Sequence, residues 1–356
     1  MSSKVTIQDI ADALGISRNT VSKAINNTGI LADTTREKVL KKAQEMGYKQ
    51  FSYINIANTE KNVNVASGTE DKHEIALLTG GFVANTHFAS TLLDKFQREL
   101  AALGYILSMH SVAAHEIEGL EIPLSFHKER IAGIVCIEMF DRSYCKMICS
   151  LGIPTLFIDT PADGFEEPLP ADKLYMDNQT EIYRFIKEMV RRGKKSIGFI
   201  GDYMHCHSFY ERYMGYRNAL YTLGLPNTEE VCVLNNRHNE PYPDPDDYRL
   251  YLQEKFQKMK KLPEVFICAN DFVAMDVIHA LKELGYSVPE DVWLCGFDDT
   301  AESKVITPSL TTIHIHSQVM GLSAVQLLMS RIKEPSLNFR TMYTETNLIY
   351  RESTED

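Results

Sequence analysis

The sequence predicts an α/β protein in which an N-terminal three-helix headpiece precedes two doubly wound parallel α/β lobes. Charge separates the two parts. Residues 1–50 hold eight Lys and Arg against five Asp and Glu, a net charge of +3, so within the total of −11 the remainder carries −14. Hydrophobic periodicity separates them again, because helical spacing dominates before residue 50 and short apolar runs alternate with helical stretches after residue 73. A length of 356 residues accommodates two or three domains.

Two short helices joined by a tight turn are predicted within the first 26 residues. The first has apolar residues at i, i+3, i+4 and i+7, and Gly15 ends it. Those apolar residues are Ile7, Ile10, Ala11 and Leu14. Ser17 stands where the N-cap of the second helix belongs, and its hydroxyl is placed to accept the Thr20 backbone N–H. Such a pair predicts a helix-turn-helix, whose second helix enters the DNA major groove.

The second helix has an apolar face and a polar face without a carboxylate. Val21, Ala24 and Ile25 form the apolar face. The polar face consists of Arg18, Asn19, Ser22, Lys23 and Asn26. Arginine and asparagine there could pair bidentately with guanine and adenine edges. The alternative is an ordinary solvated face, but a third helix follows directly and completes the motif. Asp33 or Thr34 would cap it, and Gly47 would end it.

These motifs resemble the headpiece of the lac-repressor (LacI/GalR) family. The matching stretches are residues 5–11 (VTIQDIA), 14–17 (LGIS), 20–23 (TVSK), 26, 35–39 (TREKV) and 47–48 (GY). We expect base contacts from Arg18, Asn19 and Lys23, although arginine is more usual in the family at the last position. The remaining predicted DNA contacts, some of them to phosphates, are Thr6, Ser17, Thr20, Ser22, Asn26, Tyr48, Ile56 and Ala57.

A polar linker is predicted at residues 51–72. The resemblance implies a hinge helix here, which orders on DNA and inserts a leucine into the minor groove. This sequence has Ala57 at the leucine position, with Ile56 beside it. β-Branched residues lower helix propensity, so we expect a weaker wedge and a larger share of the specificity on the headpiece helix.

In the remainder, apolar runs alternate with helical stretches, which is typical of parallel sheets with helices on both faces. Strands are predicted at 75–78, 106–109, 131–137, 155–158, 197–200, 265–269 and 292–297, and helices at 88–103, 180–192, 210–223 and 272–284. Polar residues follow several strands, among them Asp159, Asn270 and Asp298. Ligands bind at the carboxyl ends of such strands, and this set suits a polyhydroxylated ligand such as a sugar. Each residue alone could equally be a helix cap.

The family resemblance continues through this region and implies a periplasmic-binding-protein-like fold. The matching stretches are residues 212–216 (RYMGY), 269–271 (AND), 288–292 (VPEDV), 296–299 (GFDD), 307–313 (TPSLTTI) and 351–353 (RES). The predicted effector-binding residues are His87, Phe88, Asp159, Arg212, Asn270, Asp271 and Asp298. Residues 85–88 (NTHF) stand where the family usually has Asn-Pro-Phe, so His87 is either a contact to an unusual ligand or a surface histidine.

The predicted boundaries are a DNA-binding headpiece at 1–50, a hinge at 51–72, an effector-binding and dimerisation domain at 73–350, and a tail at 351–356. Lobe 1 is expected at about 73–175 and 317–340, and lobe 2 at about 176–316 and 341–350. The start of the chain lacks an apolar signal segment and no apolar run is long enough to span a membrane, which predicts a cytoplasmic protein. The seven cysteines are expected in a reducing compartment, and Cys136, Cys268 and Cys295 inside the core.

The predicted function is a homodimeric transcription regulator of the repressor class that binds operator DNA and is allosterically controlled by a sugar-like effector between the lobes. No nucleophile-elbow or zinc-protease motif is present, so we expect no enzyme, no cofactor and no metal. His205-Cys206-His207 and His314-Ile315-His316 lack companion ligands at zinc-finger spacing. The alternatives are control by a partner protein or a nucleobase and, less favoured, a solute-binding protein.

Overall fold

The computed structural model describes residues 5–25, 33–46, 72–80, 87–162, 167–226, 229–234 and 245–355. The chain divides into two compact units, Met1–Glu70 and Asp71–Asp356. We call the described part of the first unit the headpiece and that of the second unit the body.

The headpiece consists of α1 (Ile7–Leu14), α2 (Arg18–Ile25) and α3 (Asp33–Glu45). Thr6 and Asp9 cap α1 reciprocally, and Gly15 ends it with a left-handed φ of 65° that costs glycine little. A small core forms where the three helices meet. Its buried members are Ile10, Ala11, Val21, Ala24, Val39 and Ala43. The apolar spacing that predicted the first two helices is therefore the spacing that buries them, and the helix-turn-helix prediction is confirmed.

The first lobe of the body contains a six-stranded sheet in which every pair is parallel. Its strands are β1 (Glu74–Thr79), β2 (Ile106–Ser111), β3 (Ile131–Ile137), β4 (Thr155–Ile158), β5 (Asp172–Met176) and β10 (Thr341–Thr344), in the spatial order β10-β5-β4-β3-β1-β2. The helices of this lobe are α4 (His87–Ala102), α5 (Ala114–Gly119), α6 (Arg142–Ser150) and α11 (Ser317–Lys333). The fully buried run β3 shows why a continuous apolar stretch predicted a central strand.

The second lobe has a parallel sheet of β6 (Ile197–Ile200), β7 (Val265–Cys268) and β8 (Trp293–Cys295), and an antiparallel pair, β9 (Thr312–Ile315) with β11 (Thr346–Ile349). The helices of this lobe are α7 (Thr180–Arg191), α8 (His207–Thr222), α9 (Pro245–Lys258) and α10 (Asp271–Glu283). The predicted fold class, a headpiece followed by two parallel α/β lobes, is confirmed.

The chain crosses between the lobes three times: from β5 to α7, from β9 to α11 and from β10 to β11. One predicted boundary was wrong. Residues 341–350 were assigned to lobe 2, but Thr341–Thr344 pairs with β5 in the first sheet. An ion pair within this lobe holds the strand there: the buried Asp172 carboxylate accepts from both the backbone and the side chain of Arg340. Only one of the four β10 residues is buried, so its sequence carried no apolar signal.

The carboxyl-terminal residues pack into the second lobe instead of forming the predicted tail. Ser353 and Thr354 are fully buried, and the Ser353 hydroxyl donates to the Leu294 carbonyl of β8 at 2.7 Å. The cysteines predicted for the core, Cys136, Cys268 and Cys295, are buried. Within the described ranges, no helix is both long and apolar enough to span a bilayer.

Candidate functional site

The headpiece presents one polar helix face. Arg18 and Asn19 are exposed at the start of α2, and Lys23 is half-exposed one turn later. Ser17 accepts the Thr20 N–H at 3.0 Å, as predicted, which fixes the first turn of the helix. Arg18 and Asn19 make no hydrogen bond or ion pair to the described chain, so both side chains are available to an external partner. Thr6 is exposed but bonded to Asp9 at 2.8 Å.

Most of the predicted DNA-contact residues lie in the headpiece. Ser22 and Thr20 are partly exposed on α2 beside Lys23. Four predicted contacts lie outside the described residues: Asn26, Tyr48, Ile56 and Ala57.

In the body, the carboxyl ends of the two sheets face each other. Asp159, directly after β4 in the first lobe, accepts the Ser208 N–H at the start of α8 in the second lobe at 3.2 Å. The carbonyl of Thr160 accepts the neighbouring His207 N–H at 2.9 Å. Phe140, after β3, contacts the ring of His205 at a centroid distance of 5.0 Å. These contacts bring the strand ends of both lobes together, and we call this region, where the strand ends of the two lobes meet, the inter-lobe cleft.

Arg212 is buried beneath this cleft, with 3% of its surface exposed. It donates from Nε to Asn178 Oδ1 at 3.0 Å and from Nη1 to the Ala269 carbonyl at 2.6 Å, and Nη2 lies 3.4 Å from Asp298 Oδ1. Its guanidinium stacks 3.6 Å from the ring centroid of Phe297. The predicted residues Arg212 and Asp298 are therefore adjacent, and the guanidinium is held on both edges and one face.

Asp298 is the carboxylate that shares the cleft with Arg212. Burial raises its pKa to about 7; Arg212 opposes that rise, and the negative charges of Asp271 and Asp159 add to it. At neutral pH, this carboxyl is near the midpoint of its titration. Its protonation state is therefore sensitive to any charge that enters the cleft.

Asp271 does not line the cleft, contrary to our expectation. Its side chain is fully buried, with Oδ1 accepting from Thr312 Oγ1 at 2.5 Å and Oδ2 from the Thr300 N–H at 2.8 Å. Burial raises its pKa to about 6. Gly296 makes room for it, because a Cβ there would lie 2.2 Å from Asp271 Oδ1. Asp271 thus supports the loop that carries Asp298.

The remaining predicted effector-binding residues are Asn270, His87 and Phe88. Asn270 is half-buried and caps α10 by accepting the Val273 N–H at 2.9 Å, which is the helix-cap alternative considered from the sequence. His87 and Phe88 begin α4, but their side chains are not among those the structure describes.

Sequence reasoning missed three polar residues at the cleft. Glu138 follows β3 directly, and Asp202 follows β6 by two residues; the strand-end rule that selected Asp159 would have selected both. Asn178 is buried at the β5–α7 crossing, where its amide donates to the Met176 carbonyl at 3.1 Å and to Glu211 Oε2 at 2.9 Å. No local pattern predicted that role, since its partners lie 33 and 34 residues away on α8.

Glu211 connects the lobes on the outer side of this network. Its Oε1 accepts from the Tyr343 hydroxyl of β10 at 3.0 Å and lies 3.4 Å from His207 Nε2. Burial raises the pKa of Glu211, but hydrogen bonds from His207 and Asn178 outweigh it and leave the pKa lowered. An ionised Glu211 therefore joins β10 of the first lobe to α8 of the second.

Comparison with known proteins adds independent information about both units. A family model described as bacterial regulatory proteins, lacI family, matches residues 6–50, and a periplasmic binding protein-like domain matches residues 186–354. The HTH-type transcriptional regulator GalR of Lacticaseibacillus casei is 28% identical over 351 residues, 98% of this chain and 99% of that protein. The chain belongs to the lacI family of bacterial regulatory proteins. This LacI-family chain is a transcription regulator and not an enzyme.

Further relatives agree with that assignment. The HTH-type transcriptional repressor PurR of Actinobacillus pleuropneumoniae serotype 3 (strain JL03) is 26% identical over 98% of both chains. A transcriptional regulator CelR–cellobiose complex has a TM-score of 0.68 at 20% identity, covering 98% of this chain and all of that one. The lac repressor dimer bound to operator and the anti-inducer ONPF has a TM-score of 0.65 at 19% identity, covering 99% of each. These structures share the fold of this LacI-family regulator.

Proposed function

We propose that this regulator binds operator DNA through α2, as a homodimeric repressor, and that a sugar-like effector in the inter-lobe cleft modulates the binding. The observation that carries the proposal is the polar face of α2. Arg18 and Asn19 are exposed and have no partner in the described chain, on a helix fixed by the Ser17 cap. Such side chains are suited to bidentate contacts with base edges in the major groove.

The cleft supports the effector role. Its strand ends supply carboxylates and an amide, which accept and donate hydrogen bonds to hydroxyl groups, around the buried Arg212. The α8 contacts of Asp159, Thr160 and Tyr343 join the lobes through groups beside this site. An effector that alters these contacts would change the lobe arrangement and, through it, DNA binding.

Exposed apolar side chains on the first lobe support self-association. β2 is the edge strand of its sheet, and Ile106 and Met109 on it are 67% and 59% exposed. Leu124 is 97% exposed. Exposed apolar residues at a sheet edge favour burial against another chain. A second copy would bring two headpieces to the half-sites of a near-palindromic operator.

The test is operator selection from a random DNA pool with the full chain, followed by fluorescence anisotropy on the selected and shuffled sequences. We expect a near-palindromic consensus that binds at least about 10³-fold more tightly than shuffled DNA at a fixed salt concentration. Equal affinity for all sequences would contradict the proposal. The assay needs no effector, so its outcome is independent of what the cleft binds.

A further inference from the structure

Three carboxylates at the cleft have strained backbones. Glu138, Asp159 and Asp298 have left-handed φ values of 55°, 64° and 113°, and each follows a strand, β3, β4 or β8, within three residues. Such values cost a non-glycine residue on the order of 1–3 kcal/mol, less for aspartate, and persist where the fold or the function requires them. Positive φ values therefore occur at acidic residues that follow strands in both lobes.

Asp202 adds a fourth carboxylate after β6. Asp202 and Asp159 both act electrostatically on His205, whose pKa is nonetheless lowered because burial outweighs them. His205 is therefore predominantly neutral at pH 7 and does not offset the acidic groups. The cleft combines acidic residues of both lobes with a histidine that adds little positive charge.

Among the described residues at the strand ends, three groups that could have bound an anion already have internal acceptors: Arg212 and the amino ends of α8 and α10. Arg212 is bonded to Asn178, Ala269 and Asp298. The amino end of α8 donates to Asp159 and Thr160 of the first lobe. The amino end of α10 is capped by Asn270, and its Asp271 N–H donates to the Phe297 carbonyl at 2.8 Å.

The basic side chains nearest in sequence to these strand ends are also paired. Arg142 of α6 donates to the Glu167 carbonyl. Lys304 Nζ lies 3.2 Å from Asp299, and Arg351 donates to the same carboxylate at 2.5 Å. Within the described strand ends, a phosphate or carboxylate would therefore have to displace an internal acceptor while approaching Glu138, Asp159, Asp202 and the partly protonated Asp298.

We infer that the effector carries no negative charge: the cleft accepts neutral hydroxylated or amino-substituted ligands and rejects sugar phosphates, sugar acids and nucleotides. This inference rests on the proposed effector role of the cleft. Glu138, Asp159 and Asp202 would accept hydrogen bonds from hydroxyl or ammonium groups of such a ligand. A phosphate group would meet the same carboxylates at short range in a partly desolvated site, where like charges repel strongly.

The experiment measures the thermal unfolding of the full chain with probes that share a sugar ring and differ in the charge of one substituent. The sets are galactose, galactosamine and galactose 1-phosphate, and glucose, glucosamine and glucose 6-phosphate. We expect any saturable rise in Tm to come from a neutral or amino member, with its phosphate binding at least about 100-fold more weakly. In Asp202→Asn, any preference for the amino sugar over the neutral sugar should fall. A phosphate member that binds more tightly than its neutral partner would overturn the inference.

Inorganic phosphate decides the question even if neither sugar fits. We expect no saturable rise in Tm with phosphate in the wild type. If a rise occurs, we expect it to disappear in the double variant Lys260→Gln/Lys261→Gln. This variant neutralises exposed lysines at the opposite end of the second lobe's strands. A rise that is lost in Arg18→Ala/Lys23→Ala would come from the headpiece and would leave the inference standing, whereas a saturable rise that persists in both double variants would overturn it. The operator-binding assay stays unaffected by either result, so failure here is distinct from failure of the proposed function.

Discussion

The α2 face and the inter-lobe cleft both display arginine and asparagine, but in opposite states. Arg18 and Asn19 are exposed without partners in the described chain, whereas Arg212 and Asn178 are buried and hydrogen-bonded to each other. A side chain without internal partners loses little when it binds a base edge. A buried, bonded side chain loses its existing bonds when anything moves it. The first arrangement suits recognition, and the second suits coupling of a ligand to the positions of two lobes.

The largest effect is expected at the buried arginine. Arg212→Met leaves the Asn178 amide oxygen and Asp298 without their partner, and it should cost about 3–5 kcal/mol in the free energy of unfolding of the body. Urea unfolding of the full chain measures it. Arg98→Met on α4 is the control, because that arginine and its partner Asp94 are both exposed, at 68% and 58%; we expect a loss of under about 1 kcal/mol. Equal losses would show that Arg212 is not an internal anchor.

A pH-dependent effect is expected at Asp298. Because its folded pKa of about 7 is above the ordinary 3.8, the folded state binds this proton more tightly. The stabilisation that this bound proton gives the folded state is fully present below about pH 4 and is lost as the pH rises to about 7. The loss is at most about 1.4 kcal/mol per unit of pKa shift. Asp298→Asn should therefore gain stability relative to the wild type between pH 5 and 8, as followed by urea unfolding.

Asp172 is the matched control for that pH series. Burial raises the pKa of Asp172, but hydrogen bonds from Arg331 and Arg340 outweigh it and leave the pKa lowered. Its contribution is therefore present above about pH 4 and is lost only below that range. Asp172→Asn should destabilise the body by the same amount at pH 5 and pH 8, because both arginines stay charged throughout that window. A parallel pH trend in both variants would argue against a raised pKa at Asp298.

A smaller effect is expected at the start of α2. Ser17→Ala removes the acceptor of the Thr20 N–H and should cost the headpiece about 1 kcal/mol, whereas Ser17→Asn keeps a capping oxygen and most of the stability. Thermal unfolding of the headpiece signal in the full chain measures both. If the two variants were equally destabilised, the side-chain cap would not be what fixes this helix.

The sequence predicted what depends on neighbours along the chain. Ser17 and Thr20 are three residues apart, so their bond followed from capping rules. Strands such as β3 are continuous apolar runs, which a parallel sheet buries on both sides. Glu138 was available to the same strand-end rule as Asp159 and was missed by omission.

Distant partners explain the remaining differences. The burial of Asp271 depends on Thr300 and Thr312, which lie 29 and 41 residues further along. β5 begins with Asp172, a charged residue that the strand tolerates because Arg331 and Arg340, more than 150 residues away, bond to it. Patterns within a short window contain no such information. The local rules therefore located the cleft but not the residues buried beneath it.

The most direct test of the central claim is base preference at the predicted recognition helix. Anisotropy is measured for wild type and Arg18→Ala on the selected operator and on every single-base variant of one half-site. We expect a loss of about 1–3 kcal/mol in operator binding, with preference relaxed at one base position. Arg98→Ala, an exposed arginine paired with Asp94 on α4, should leave affinity and preference unchanged. Unchanged operator affinity and base preference in Arg18→Ala would contradict the assignment of α2 to the major groove.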